Sequence, residues 1–224
     1  MWQKASTPMK TLSIDVVSDV VCPWCYIGKR RLEGALQKWA QLHPDVLPQV
    51  RWHPFQLNPD LAPSGMDRNT YVLQKFADRS ESVYARVTAV ALDVGLQLAI
   101  DRIQRQPNTV LAHSLISAAG QGQAQDSLVE ALFKAFFVDG QDLTDPEVLL
   151  HIAQTAGITA DVAQQALADT LLHDQIRASD AAAREMGISG VPFFIFNRKV
   201  GVSGAQESES LLQAMQQAMQ QAVA

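Results

Sequence analysis

The chain has 224 residues, 47% of them apolar and 18% charged, with a formal net charge of −5. That length suits one or two domains with a sizeable core, and the mild acidity offers nucleic acid no electrostatic footprint. No apolar run approaches the roughly 20 residues of a membrane-spanning helix.

The N-terminal stretch "MWQKASTPMKT" lacks the apolar core of a secretory signal, so a cytoplasmic protein is expected. A disordered lead of about eight residues precedes the first element, with Met1 or Met9 as the start. "TLSIDVV" (Thr11 to Val17) alternates and is β-branched, which predicts a strand. From Pro23 to about Gln41 the pattern is helical, with Leu32, Leu36 and Trp39 at helical spacing. Lys29-Arg30-Arg31 reads as the solvated face of that helix. "HPDVLP" breaks it, and "QVRWHPFQLNP" (Gln49 to Pro59) reads as a second strand. Strand, helix and strand make a βαβ unit with parallel strands and a right-handed crossover.

"LAPSGMDRN" (Leu61 to Asn69) is linker-like, and helical signals then dominate to about Gly187. Helices are expected from Ser80 to Asp93, from "PNT" (Pro107 to Thr109) to Gly120, and from Asp126 to Val138. Asp145-Pro146 is a cap with proline at the first helical position, and Gly157 closes that helix. One further helical stretch covers Asp161 to Met186. Phe193 to Phe196 and Lys199 to Val202 flank a tight turn, a hairpin signal. The glutamine- and alanine-rich end carries Leu211, Met215 and Met219 at i, i+4 spacing, a helix with one buried stripe.

Cys22 and Cys25 are the only cysteines, flanking Pro23 and Trp24 where the first strand gives way to the helix. A loop this small removes little chain entropy, so stapling is the weak reading. Zinc needs four ligands, and nothing places His43 or His53 on the thiols, so no metal is expected. Two inert thiols fit poorly with the Pro-Trp filling at the C-terminal end of a strand, where catalysis gathers in open α/β sheets. At a helix N-terminus the first-turn amides and the dipole favour negative charge, which lowers the pKa of Cys22. Cys25, one turn on, is within disulfide reach and suits a resolving role. Cys22 would form a mixed disulfide that Cys25 releases.

CPWC after a strand, paired with "GVPFFIF" late in the chain, resembles the thioredoxin superfamily. "SDVVCPWCYIGKRRLE", "PNTVLAH" and "VSGAQ" resemble its DsbA-like branch, in particular FrnE-type proteins, which are akin to 2-hydroxychromene-2-carboxylate isomerases and kappa-class glutathione transferases. The resemblance implies an α/β, thioredoxin-like fold with a large helical insertion. The discontinuous thioredoxin-like domain would take 9–61 and 187–224, and the insertion 62–186. Val191-Pro192 would be the cis-proline loop against the CPWC helix, with the Val191 backbone free to pair with an extended substrate. Pro23, Trp24, Asn108 and His113 would line the substrate cleft, although His113 also fits a packing role. Ser18-Asp19 suits helix capping, proton transfer by Asp19, or an ordinary polar turn.

The function expected is thiol–disulfide exchange with a disulfide- or dithiol-containing protein or small molecule, by a monomer or homodimer, with no nucleic acid, membrane or required cofactor. Two alternatives stand beside it. One is a glutathione-dependent isomerase or transferase, for which glutathione would be bound. The other is a non-catalytic binding or holdase module. In the isomerase and transferase relatives a serine commonly replaces Cys22, and a Ser-Asp pair stands where this chain has Gly204-Ala205-Gln206. Both departures favour the dithiol reading.

Overall fold

A computed structural model describes residues 10–221; the expected N-terminal lead, Met9 and residues 222–224 lie outside them. Strand β1 (Lys10–Ser18) leads into helix α1 (Pro23–Leu42) and strand β2 (Val46–Pro54). β1 and β2 run parallel, with Val17 opposite His53. Pro23 opens α1 at the position where its missing N–H costs nothing. Leu32, Ala35 and Trp39 form the buried stripe, and His43-Pro44 ends the helix. β2 begins earlier and ends earlier than the sequence suggests. It is an edge strand and so tolerates Pro48.

The stretch that reads as a linker forms structure. Strand β3 (Met66–Asp67) runs into helix α2 (Arg68–Phe76), whose N-terminus Asp67 caps by accepting from Thr70 N. Helix α3 (Ser80–Asp93) and strand β4 (Arg105–Gln106) follow, and β3 pairs with β4 in a two-stranded sheet. Helices α4 (Val110–Ala118), α5 (Gln123–Phe137) and α6 (Pro146–Thr155) lie close to their expected places. The long stretch from Asp161 to Met186 is instead two helices, α7 (Ala160–Ala168) and α8 (Thr170–Glu185). Asp169 turns the chain between them and accepts from Leu172 N, and this cap stops one helix and starts the next.

Strands β5 (Phe193–Phe196) and β6 (Val200–Ser203) and helix α9 (Ser208–Gln220) complete the chain. Asn197 and Arg198 both take positive φ, at 49° and 58°, which matches the twist of a tight hairpin. The main sheet has the order β2-β1-β5-β6, with β5 antiparallel to β1. Leu12, Ile14 and Val16 of β1 face α1 and α9, while Val17, Phe55, Ala183 and Ile188 pack under α8 on the other side. One hydrophobic cluster runs from these β1 residues through Tyr26 to Phe133 and Phe137 of α5, so the sheet and the helical block share a core.

The basic run on α1 is not a solvated face. Lys29 is only 3% exposed and lies among Glu33, Asp126 and Glu130. Burial alone would lower its pKa, but the three carboxylates outweigh it and the net shift is upward. Arg30 pairs with Glu130, and Arg31 reaches the Ala205 carbonyl and Glu207. The charges therefore tie α1 to α5 and to the loop before α9. Carboxylates distant in sequence make that possible, which no local pattern in the run reveals. Among the described residues no helix is long and apolar enough to cross a membrane.

Candidate active site

β1 ends at Ser18 and the chain turns sharply, with Cys22 N bonded to Asp19 O at 3.0 Å. Cys22 is the N-cap of α1, and Cys25 lies in its first turn. No first-turn amide bonds to the Cys22 sulfur, contrary to the arrangement expected from the sequence. The reason is local: Pro23 has no N–H, and Cys25 N bonds to the Cys22 carbonyl at 3.0 Å. The Cys22 thiol instead donates to Val191 O at 3.5 Å. Both cysteines are reduced, and both are buried.

Cys25 is 1% exposed. Burial pushes its thiol well above the ordinary range, and a hydrogen bond with Cys22 and the charge Cys22 carries when ionised add to the rise. Hydrogen bonds from the Ser18 side chain and the Asp19 backbone pull in the other direction but do not reverse it. At neutral pH Cys25 therefore holds its proton, the state suited to a thiol that waits for a mixed disulfide.

The Val191–Pro192 peptide bond is cis. Pro192 is buried against α1 where Gly28 lies: a Cβ on Gly28 would stand 2.9 Å from Pro192 Cγ and 3.2 Å from Phe194 Cζ. Gly28→Ala is expected to push this loop off α1, costing about 1–3 kcal/mol and slowing exchange at Cys22. Thermal unfolding together with insulin reduction checks it. Wild-type values for both would mean that the loop gives way freely.

The remaining candidate residues divide. Pro23, Trp24 and Val191 are half-buried around the cysteines, where a substrate can reach them. Asn108 is not free to do so. Its Nδ2 donates to Leu61 O at 2.7 Å and its Oδ1 accepts from Val110 N at 3.0 Å, so it braces the start of α4. Asp19 does not cap α1; its Oδ2 accepts from Leu57 N at 2.8 Å and fixes the segment after β2. His113 is buried, and its Nε2 lies 3.3 Å from Asp19 Oδ1. That approach is off the line of a hydrogen bond, and neither atom has a hydrogen-bond partner among the described residues.

Ser18, the last residue of β1, is buried and does not cap α1 either. The His43 ring lies tilted against Trp39, and His53 pairs with Asp15. Among the described residues no cluster of three or more His, Cys, Asp or Glu could hold a metal ion.

A sheet of order β2-β1-β5-β6, with a CXXC pair opening the helix after β1 and a cis-proline before β5, defines a thioredoxin-fold protein. Residues 13–216 match the DSBA-like thioredoxin domain, and the chain belongs to that family. It is 28% identical over 207 residues to the protein YwbO of Bacillus subtilis, covering 90% of this chain and 96% of that one. A probable DsbA oxidoreductase from Streptomyces coelicolor superposes with a TM-score of 0.81 at 31% identity, covering 93% of this chain and 90% of that one. A 2-hydroxychromene-2-carboxylate isomerase structure gives a TM-score of 0.67 at 17% identity, over 94% of this chain and 98% of that one, a likeness of fold alone.

Proposed function

We propose that the protein is a thiol–disulfide oxidoreductase that cycles Cys22 and Cys25 between dithiol and disulfide while exchanging electrons with a protein or small-molecule substrate. The observation that carries this reading is the pairing of the two thiols in one turn of α1, the first facing the Val191 carbonyl and the second held protonated in the core. The resemblance to a probable DsbA oxidoreductase supports it. An extended substrate would lay its backbone against Val191, bringing its sulfur to Cys22. In a cytoplasmic setting the glutathione pool would keep such a pair reduced, and the protein would act as a reductant or isomerase.

A glutathione-dependent isomerase is the second reading, favoured by the shared fold with the isomerase structure. Against it, Cys22 is not serine, and the Ala205 carbonyl and Glu207 are already taken by Arg31. Titration against glutathione redox buffers, read by intact mass, tests the proposal. The expected result is a reversible two-electron couple that loses two hydrogens on oxidation. A protein that never joins its two sulfurs, or that only accumulates a glutathione adduct, would overturn it.

A further inference from the structure

The three consecutive cations of α1 divide between two partners. Lys29 and Arg30 turn to the carboxylates of α5, whereas Arg31 turns to the loop between β6 and α9. Its guanidinium donates to the Ala205 carbonyl and pairs with Glu207, and its own carbonyl accepts from Ser208 Oγ at 2.8 Å. Arg31 is 12% exposed while Glu207 is 72% exposed. An ion pair so open to water adds little, and Arg31 Nε is buried with no partner among the described residues. The charge-assisted bond to Ala205 is therefore the main return for the hydration Arg31 loses.

That bond holds one end of a short chain of contacts. Gly204, next to Ala205, donates its N–H to Pro192 O at 2.8 Å. Its φ of 81° suits glycine. Pro192 rests on α1 at Gly28, and the neighbouring Val191 carbonyl accepts from the Cys22 thiol. Gly28 and Arg31 are three residues apart and share a face of α1. Gly28 meets the Val191–Pro192 loop directly, and Arg31 reaches it through Ala205 and Gly204. The helix that carries Cys22 thus holds this loop at two points.

We propose that Arg31 is a positioning residue for disulfide exchange: by fixing Ala205 and Gly204 it sets where Val191–Pro192 lies relative to Cys22, and so favours an extended polypeptide disulfide over a small one. The inference rests on the dithiol reading. A polypeptide laid along Val191 brings its sulfur to Cys22 only if that backbone stands at the right distance, and a misplacement of about 1 Å costs up to about a hundredfold in rate. A small disulfide has no backbone to lay there and gains nothing from the loop. In the step concerned Cys22, having lost its proton to solvent, attacks the substrate sulfur. The substrate S–S bond breaks, its other sulfur leaves as a thiolate with the electron pair, and a Cys22–substrate disulfide forms.

Two substrates with one leaving group test this. One is a short uncharged peptide with a single cysteine, the other N-acetylcysteine amide, each joined to thionitrobenzoate through a disulfide. Attack by Cys22 releases coloured thionitrobenzoate from both, and stopped-flow absorbance gives the two second-order rates. A partly unfolded variant, or one with an altered Cys22 pKa, lowers both rates together and leaves their ratio alone. Wild type is expected to favour the peptide roughly 10-fold or more. Arg31→Gln and Gly204→Ala are each expected to bring the ratio near unity. A Cβ on Gly204 would meet only Gln206 Nε2 at 3.7 Å, so that variant acts through backbone strain. The double variant should fall no further, because both changes break one chain of contacts. Lys38→Gln, which removes a separate ion pair between α1 and α9, should keep the wild-type ratio. A wild-type ratio in Arg31→Gln or in Gly204→Ala would overturn the inference, as would an equal loss in Lys38→Gln or a ratio near unity in wild type. A wild-type protein that releases thionitrobenzoate from neither compound would instead sink the dithiol reading itself.

Discussion

Cys25→Ser is expected to stop turnover and leave a stable mixed disulfide on Cys22, whereas Cys22→Ser removes thiol exchange altogether. The asymmetry follows from where the sulfurs sit. Cys22 faces the Val191 carbonyl at the N-cap of α1, and Cys25 lies in the first turn beyond it with burial holding its proton on. An incoming disulfide meets Cys22 first. Release then depends on a neighbour already held at the reacting sulfur, and such intramolecular placement is worth orders of magnitude over an external thiol. Serine at position 25 offers a hydroxyl that is no nucleophile toward a disulfide, so turnover of insulin should fall roughly a thousandfold or more. Intact mass spectrometry after mixing with a peptide disulfide should then find the adduct on Cys22. If Cys25→Ser turns over at the wild-type rate, release comes from solution and Cys25 is a bystander. Alkylation gives a second check, because iodoacetamide at neutral pH should label Cys22 well before Cys25.

Much of this arrangement is legible in the residues themselves. Pro23 at the first helical position, the three-residue cysteine spacing and the β-branched run before them locate α1 and β1 closely. The Asn197-Arg198 turn between two phenylalanine- and valine-bearing runs does the same for the hairpin. Short polar caps hide more. Asp67 and Asp169 each begin a helix by accepting a backbone N–H, and in a sequence they look like linker or helix surface. What is invisible locally is charge and polarity matched across the fold. Lys29 reads as solvated until α5 brings Asp126 and Glu130 to it. Asn108 looks available until Leu61 and Val110 claim its amide. His113 comes within 3.3 Å of Asp19 only because the fold brings the end of β1 beside α4.

The largest expected loss of stability comes from Phe133→Ala on α5. Phe133 is wholly buried and stacks on Tyr26 of α1 with ring centroids 4.9 Å apart and planes 14° from parallel. Its edge meets Trp52 of β2 at 6.5 Å and Phe137 lies 6.4 Å away. One ring thus joins the helix that carries the cysteines, the edge strand and the helical block. Removing it leaves a cavity that three rigid rings cannot collapse to fill, at a cost of about 3–5 kcal/mol. For a domain whose total stability is about 5–15 kcal/mol, that is a large share. The corresponding fall in melting temperature is roughly 10 °C. Leu171→Ala, at a side chain 74% exposed, should cost less than about 0.5 kcal/mol and serves as the control. The sharper test is cooperativity. Because one hydrophobic cluster spans the sheet and the helical block, urea should unfold both in a single transition for wild type and variant alike, with tryptophan fluorescence and far-ultraviolet circular dichroism coinciding. If the two signals separate in Phe133→Ala while the Cys22–Cys25 couple survives, the sheet folds without its insertion, and the shared core is a contact rather than a condition for the fold.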